Sequence, residues 1–169
     1  MQIREEIIED GPRIFEINEA AFGRPEEALL VDNLRDRKVI LHSLVAEQNG
    51  ELVGHALFSP VMIHGENGVV TVVAGLGPVA VLPANQKQGI GAALIDAGIR
   101  LCGEAGYRLM IVLGHPGYYP RFGFQQAGLF DIACTYDVPG EAFMVLELEK
   151  DALDAVSGVA HYHPEFDGV

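Results

Sequence analysis

From Val81 to Ala92 the chain reads Val-Leu-Pro-Ala-Asn-Gln-Lys-Gln-Gly-Ile-Gly-Ala, after an apolar run and before apolar residues at helical spacing. A turn at a helix start presents consecutive backbone N–H groups that have no helical partner, at the positive end of the helix dipole. Glycines at 89 and 91 let a ligand approach that backbone closely. The combination suits an anion, a pyrophosphate in particular. A plain strand-to-helix turn that uses glycine for packing is the competing reading. From Gln86 to Arg121 the basic residues Lys87, Arg100, Arg108 and Arg121 outnumber Asp96 and Glu104, although the whole chain carries −13. The Gly-x4-Gly-Lys-Ser/Thr loop of nucleotide hydrolases is absent, and so is the complete Gly-x-Gly-x-x-Gly of dinucleotide folds.

Downstream, Tyr118, Tyr119 and His115 cluster in a Gly-, Pro- and aromatic-rich segment, His115 to Phe124. His115 could act as a general base or simply bond a turn. His55 and His64 lie on hairpin strands and read as structural. His161 and His163 have a metal-pair spacing without further ligands. Glu26 and Glu27 read as solvated helix charges. Cys102 and Cys134 read as small buried residues, with neither a framework nor a ligand spacing.

The elements that must hold these groups follow from periodicity. A strand is expected over Gln2 to Ile7, then a helix that starts near Pro12 and another from Pro25. Strands over Leu41 to Glu47 and Glu51 to Ile63 are joined by Asn49-Gly50, the strongest short hairpin signal. Val69 to Val81 reads as a long central strand buried on both faces, interrupted at Gly75, Gly77 and Pro78. A helix is expected over Gly89 to Ala105, and strands over Arg108 to Leu113, Ile132 to Tyr136 and Ala142 to Leu148. The last twenty residues are weakly patterned.

With 169 residues, 49% of them hydrophobic and 21% charged, the chain is sized for one globular domain, residues 1–169. A surface this acidic repels phosphate backbones, so nucleic acid is excluded as a general partner. The longest apolar stretch, Val69 to Leu82, is too short and too interrupted to span a bilayer. The charged start and sparse cysteines lead to the expectation of a cytoplasmic protein.

Gln86, Gly89 and Gly91 fill Gln-x-x-Gly-x-Gly, after Val-x-Pro and before a helix. This resembles the acetyl-coenzyme A motif of the GNAT N-acetyltransferases. Tyr119-Pro120-Arg121-Phe122-Gly123-Phe124 is similar to the family's Tyr-x-x-x-Gly-Phe and follows in the right order. The phrases Leu-Gly-Pro-Val-Ala-Val, Val-Leu-Gly-His-Pro-Gly-Tyr-Tyr-Pro-Arg-Phe-Gly-Phe and Tyr-His-Pro-Glu-Phe resemble a bacterial, YhbS-like subgroup of predicted N-acetyltransferases.

The resemblance implies an α+β fold in α/β/α layers: a mixed, mostly antiparallel sheet with splayed central strands, flanked by helices. It implies that Val79, Ala80 and Val81 pair with the pantetheine arm of acetyl-coenzyme A. Gln86 takes its motif position, and the N–H groups of Lys87, Gln88, Gly89, Ile90, Gly91 and Ala92 hold the pyrophosphate. It makes Tyr119, rather than its neighbour Tyr118, the acid that protonates the leaving thiolate. Many members carry a glutamate on the strand that here spans Arg108 to Leu113; this chain has none.

The expected activity is acetyl transfer from acetyl-coenzyme A to an amine by direct attack in a ternary complex, without a metal. A non-catalytic acyl-coenzyme A sensor and an acyltransferase using a longer acyl group are the alternatives. The expected partners are a small-molecule or peptide amine and, as an option, a second copy in a homodimer; a membrane is not among them.

Overall fold

The computed structural model describes residues 1–169. Three α-helices, α1 (Gly11–Phe22), α2 (Glu26–Asp36) and α3 (Ile90–Glu104), accompany nine strands. The strands are β1 (Gln2–Glu5), β2 (His42–Gln48), β3 (Glu51–His64), β4 (Val70–Val81), β5 (Leu109–Leu113), β6 (Gln125–Gln126), β7 (Ile132–Cys134), β8 (Phe143–Glu147) and β9 (Gly158–His161). The chain forms two compact units, Met1–Ser59 with Gly77–Leu101 and Pro164–Val169, and Pro60–Leu76 with Cys102–His163. Strands β3 and β4 each contribute residues to both.

In the first unit β1 pairs with β2 and β2 with β3, all antiparallel. Asn49 and Gly50, with φ of 55° and 79°, make the hairpin turn that their types demand. Successive side chains of β3 point to opposite sides. Leu57 joins Ile14, Ile17, Leu34 and Val45 in the core beneath α1 and α2. Gly54 and Phe58 face α3. A Cβ added at Gly98 of α3 would stand 1.8 Å from the Phe58 ring, so the missing side chain is what seats the helix on the strand. The layers are therefore helix, sheet, helix.

A buried polar chain crosses this unit. Asn18 Nδ2 donates to the Ile14 carbonyl at 3.0 Å and, with its other hydrogen, to His55 Nδ1 at 3.1 Å. That fixes the His55 hydrogen on Nε2, which donates to Ser43 Oγ at 2.9 Å. The Ser43 hydroxyl donates in turn to Glu6, which Arg35 grips with two bonds of 2.8 and 3.0 Å. His55 is fully buried, as its structural reading required. Burial lowers its pKa to about 4; the Glu6 charge pulls the other way and is outweighed.

In the second unit β4 pairs with β5 in parallel over Ala74–Leu76 against Met110–Val112, and β5 with β8 antiparallel along its length. β6 extends this set beside β8. β9 pairs antiparallel with β3 and in parallel with β7. Val61, Ile63, Val73, Ile111, Ile132 and Ala160 share its core. The expected mixed, mostly antiparallel sheet is present.

The structure corrects several expectations. β4 is not buried on both faces throughout, because Val70 and Val72 at its start are exposed. Helix α3 starts at Ile90 rather than Gly89, since Gly89 has φ of 83°, outside the helical region. The C-terminal stretch is structured. Gly158–His161 forms β9, and Glu165 accepts bonds from Asn33 and Arg37 of the first unit while Phe166 joins its core.

Candidate active site

The candidate anion cradle, Gln86 to Ala92, belongs to the first unit. Pro83–Asn85 makes one 3₁₀ turn after β4. The chain then reverses through Lys87 and Gly89, with φ of 63° and 83°. Glycine adopts that geometry freely, while lysine does so only where the surroundings demand it. Side chains brace the loop from within. Gln86 Nε2 donates to the Val81 carbonyl at 3.1 Å, Gln88 Nε2 to Ala84 at 3.3 Å, and Asn85 Nδ2 to Gln48 Oε1 at 3.3 Å.

The helical ladder opens with the Ala93 N–H on the Gly89 carbonyl at 3.0 Å. The amides of Lys87 to Ala92 precede that bond and spend none on the turn. Open space surrounds the position of a Gly89 Cβ. A run of unspent N–H groups at the head of the 15-residue helix α3 is a fit for a pyrophosphate. Gln86 thus braces the loop through its side chain, a task its motif position did not reveal.

Val79, Ala80 and Val81 end β4, with Ala80 buried in the core under α1 and α2 and its neighbours half-buried. The ladder between β4 and β5 stops at Leu76, just before Gly77 (φ 136°) and the cis Gly77–Pro78 bond.

The tyrosine turn belongs to the second unit. After β5 the Gly114 N–H donates to the Ala142 carbonyl at 2.9 Å, and the His115 carbonyl accepts from Tyr118 and Tyr119 at 3.0 and 3.4 Å. Tyr119–Phe122 then forms a 3₁₀ turn that ends at Gly123, whose φ of 98° suits glycine. The Tyr119 ring lies edge-on to Phe124 with centroids 5.8 Å apart. It rests against Gly114, where a Cβ would come within 2.2 Å of the ring. Burial, with Tyr118 beside it, pushes the Tyr119 phenol up to about 12, so it holds its proton at neutral pH. Tyr118 is committed differently, with the Arg121 guanidinium 4.3 Å over its ring.

Gly114 is the residue that sequence reasoning missed. Its signal was a glycine directly after an apolar strand, a mark of close approach.

The remaining candidates separate clearly. His115 is exposed and serves the turn through its carbonyl. Glu27 is not a solvated charge: it is buried, and Arg24 binds its carboxylate at 2.5 to 3.1 Å. Glu26 is half-buried beside it. His64 and His161 meet at 4.5 Å between ring centroids. The two cysteines are not joined in a disulfide; Cys102 is buried and Cys134 half-buried. No group of three or more His, Cys, Asp or Glu could hold a metal ion. No helix is long and apolar enough to cross a membrane.

Comparison with known proteins adds four findings. The model of the acetyltransferase (GNAT) domain matches residues 2–127. The uncharacterised N-acetyltransferase YhbS of Escherichia coli is 36% identical over 167 residues, 98% of each chain. Its crystal structure in complex with CoA superposes with a TM-score of 0.91, at 35% identity, over 98% of this chain and 91% of that one. A GNAT acetyltransferase from Brucella melitensis in complex with acetyl-CoA gives a TM-score of 0.81 at 38% identity, over 98% of this chain and 97% of that one.

Proposed function

The chain belongs to the GNAT acetyltransferase family and is an acetyl-coenzyme A-dependent N-acetyltransferase, and from that premise we propose how its own residues carry out the transfer. The observation that carries the proposal is the run of unspent amides from Lys87 to Ala92 at the head of α3. They hold the pyrophosphate of acetyl-coenzyme A, and the loop bonds of Asn85, Gln86 and Gln88 keep them aimed. The backbone of Val79 to Val81, beyond the point where the β4–β5 ladder stops, pairs with the pantetheine amides.

The acceptor is an amine, of a small molecule or a peptide. Its lone pair forms the N–C bond at the thioester carbonyl in a ternary complex, the C–S bond breaks, and the thiolate takes the Tyr119 phenolic proton. The proton lost by the amine leaves to solvent, from which the phenolate is recharged. Residues 1–169 act as one acetyltransferase domain, a reading supported by a family match over residues 2–127, which enters both units. Two cysteines in 169 residues suit a reducing, cytoplasmic setting. A second copy of the chain is the proposed assembly partner.

β5, Leu-Met-Ile-Val-Leu, offers no carboxylate to deprotonate the amine. At pH 7 an amine of pKa ~10.4 must give up ~4.6 kcal/mol to become neutral, against ~1.4 kcal/mol for an α-amine near 8. A thiol-release screen over amino acids, polyamines, antibiotics and peptide N-termini tests the proposal. Release should require both protein and amine, and at equal pH it should favour amines of lower pKa. Acetyl-coenzyme A binding without thiol release from any amine would support a non-catalytic sensor instead.

A further inference from the structure

Met62 and His64 of β3 and His161 of β9 all belong to the second unit. Residues two apart on a strand share a side, so Met62 and His64 point the same way. The register sets His161 directly opposite Met62 and Val159 opposite His64. Directly opposed residues also share a side, with Cβ atoms about 4.5–5.5 Å apart. Ile63 and Ala160, between them in sequence, point the other way into the core. Met62, His64 and His161 are all exposed.

The two imidazoles touch edge to face, with centroids 4.5 Å apart and planes at 61°. Neither is hydrogen-bonded to another residue, so their ring nitrogens are unspent. Two nitrogens that share one ion, each at about 2 Å, stand within about 4 Å of each other. Rings already in contact reach that by small rotations of exposed side chains. Their stems are fixed, because β9 is paired with β3 on one side and β7 on the other.

We propose that Met62, His64 and His161 form a binding site for a copper(I) ion. Imidazoles alone would suit zinc, nickel or copper, so the third donor decides. No cysteine, aspartate or glutamate joins the two histidines in a group of three. Structural zinc is held by four ligands of those types and would find only two here. The donor that does share the face is the Met62 thioether, a soft ligand that favours copper(I). All three donors bind without charge, and the field of a chain at −13 favours a cation. None of the three has a part in the acetyl transfer.

Competition with the copper(I) chelator bicinchoninate, under argon with ascorbate at pH 7.5, tests the proposal. The full chain carries Cys134→Ser, so that its half-buried thiol cannot take the ion; Cys102 is fully buried. This protein should bind one equivalent of copper(I). His161→Gln should weaken that binding at least tenfold. Met62→Leu keeps the apolar bulk and removes the sulfur; it should also weaken copper(I) at least tenfold, while zinc binding changes less than twofold. If His161→Gln fails to fold by circular dichroism, His64→Gln on the neighbouring strand replaces it. No copper(I) held against the chelator overturns the proposal. So does copper(I) that the histidine variant retains, or a Met62→Leu chain that binds it as tightly as before.

Discussion

Tyr119→Phe should lower kcat about a hundredfold, the low end for loss of a general acid. The low end applies because coenzyme A thiolate is a fair leaving group on its own. The substitution removes only the hydroxyl. The ring keeps its place against Gly114 and its edge contact with Phe124, so the turn and the fold should persist. The phenol's pKa near 12 keeps the proton available across neutral pH, so the loss should appear over that whole range. Acetyl-coenzyme A affinity should change by less than about threefold, ~0.65 kcal/mol, because the proposed pyrophosphate cradle is built from other residues. Tyr118→Phe is the control. Its ring carries Arg121 rather than the leaving group, and most activity should survive. Steady-state thiol release with the two variants decides the matter. A dead Tyr118→Phe beside an active Tyr119→Phe would contradict the assignment, and two active variants would leave the thiolate to be protonated by water.

The buried chain through His55 should make folding stability fall as pH drops through a defined window. The histidine's folded pKa of about 4 lies below its ordinary 6.5. Between those values the unfolded chain binds a proton that the folded chain refuses. Stability is therefore complete above about pH 6.5 and is lost progressively down to about pH 4, by an amount on the order of 3 kcal/mol. Protonation would also set a second donor on Nδ1 against the Asn18 amide, which already donates there. Glu6 adds to the loss at lower pH. Burial raises its pKa, but the bonds from Arg35 and Ser43 outweigh that and leave it lowered. Urea midpoints at pH 7 and pH 4.5 measure the effect. His55→Gln, which still offers one donor and one acceptor, should flatten the slope in this window. An unchanged slope in that variant would show that the histidine is not its source.

Local signals made much of this molecule readable from its residues. Asn49-Gly50 specifies its hairpin by backbone geometry alone, and Gly-x-Gly before a helical period marks the head of α3. The two motifs carrying Gln86, Gly89, Gly91 and Tyr119 are contiguous in the chain, so their resemblance to a family survives without a structure. Features that depend on distant partners were not legible. Gly98 matters because Phe58, forty residues earlier, fills its missing side chain, and Gly114 because Tyr119 does. Glu27 looks like any helix-surface acid until Arg24 covers it. β9 is only four residues, too short for alternation to stand out, and exists because β3 and β7 pair with it. The open face of β4 was misread for a similar reason. A run of valines does not say which of its sides the core will cover.

The central claim is that acetyl-coenzyme A binds at the Gln86 to Ala92 turn, and one calorimetric comparison tests it most directly. Gly91 is the second residue of α3 and has no positive φ, so aspartate can take its backbone there. A carboxylate in a helix's first turn is compatible with the dipole, so the fold should tolerate it. A bound pyrophosphate should not, because the side chain and its negative charge enter the cradle. Titration of acetyl-coenzyme A into Gly91→Asp should show affinity at least tenfold weaker than wild type, ~1.4 kcal/mol. An unchanged affinity in a folded variant would contradict the placement of the cofactor.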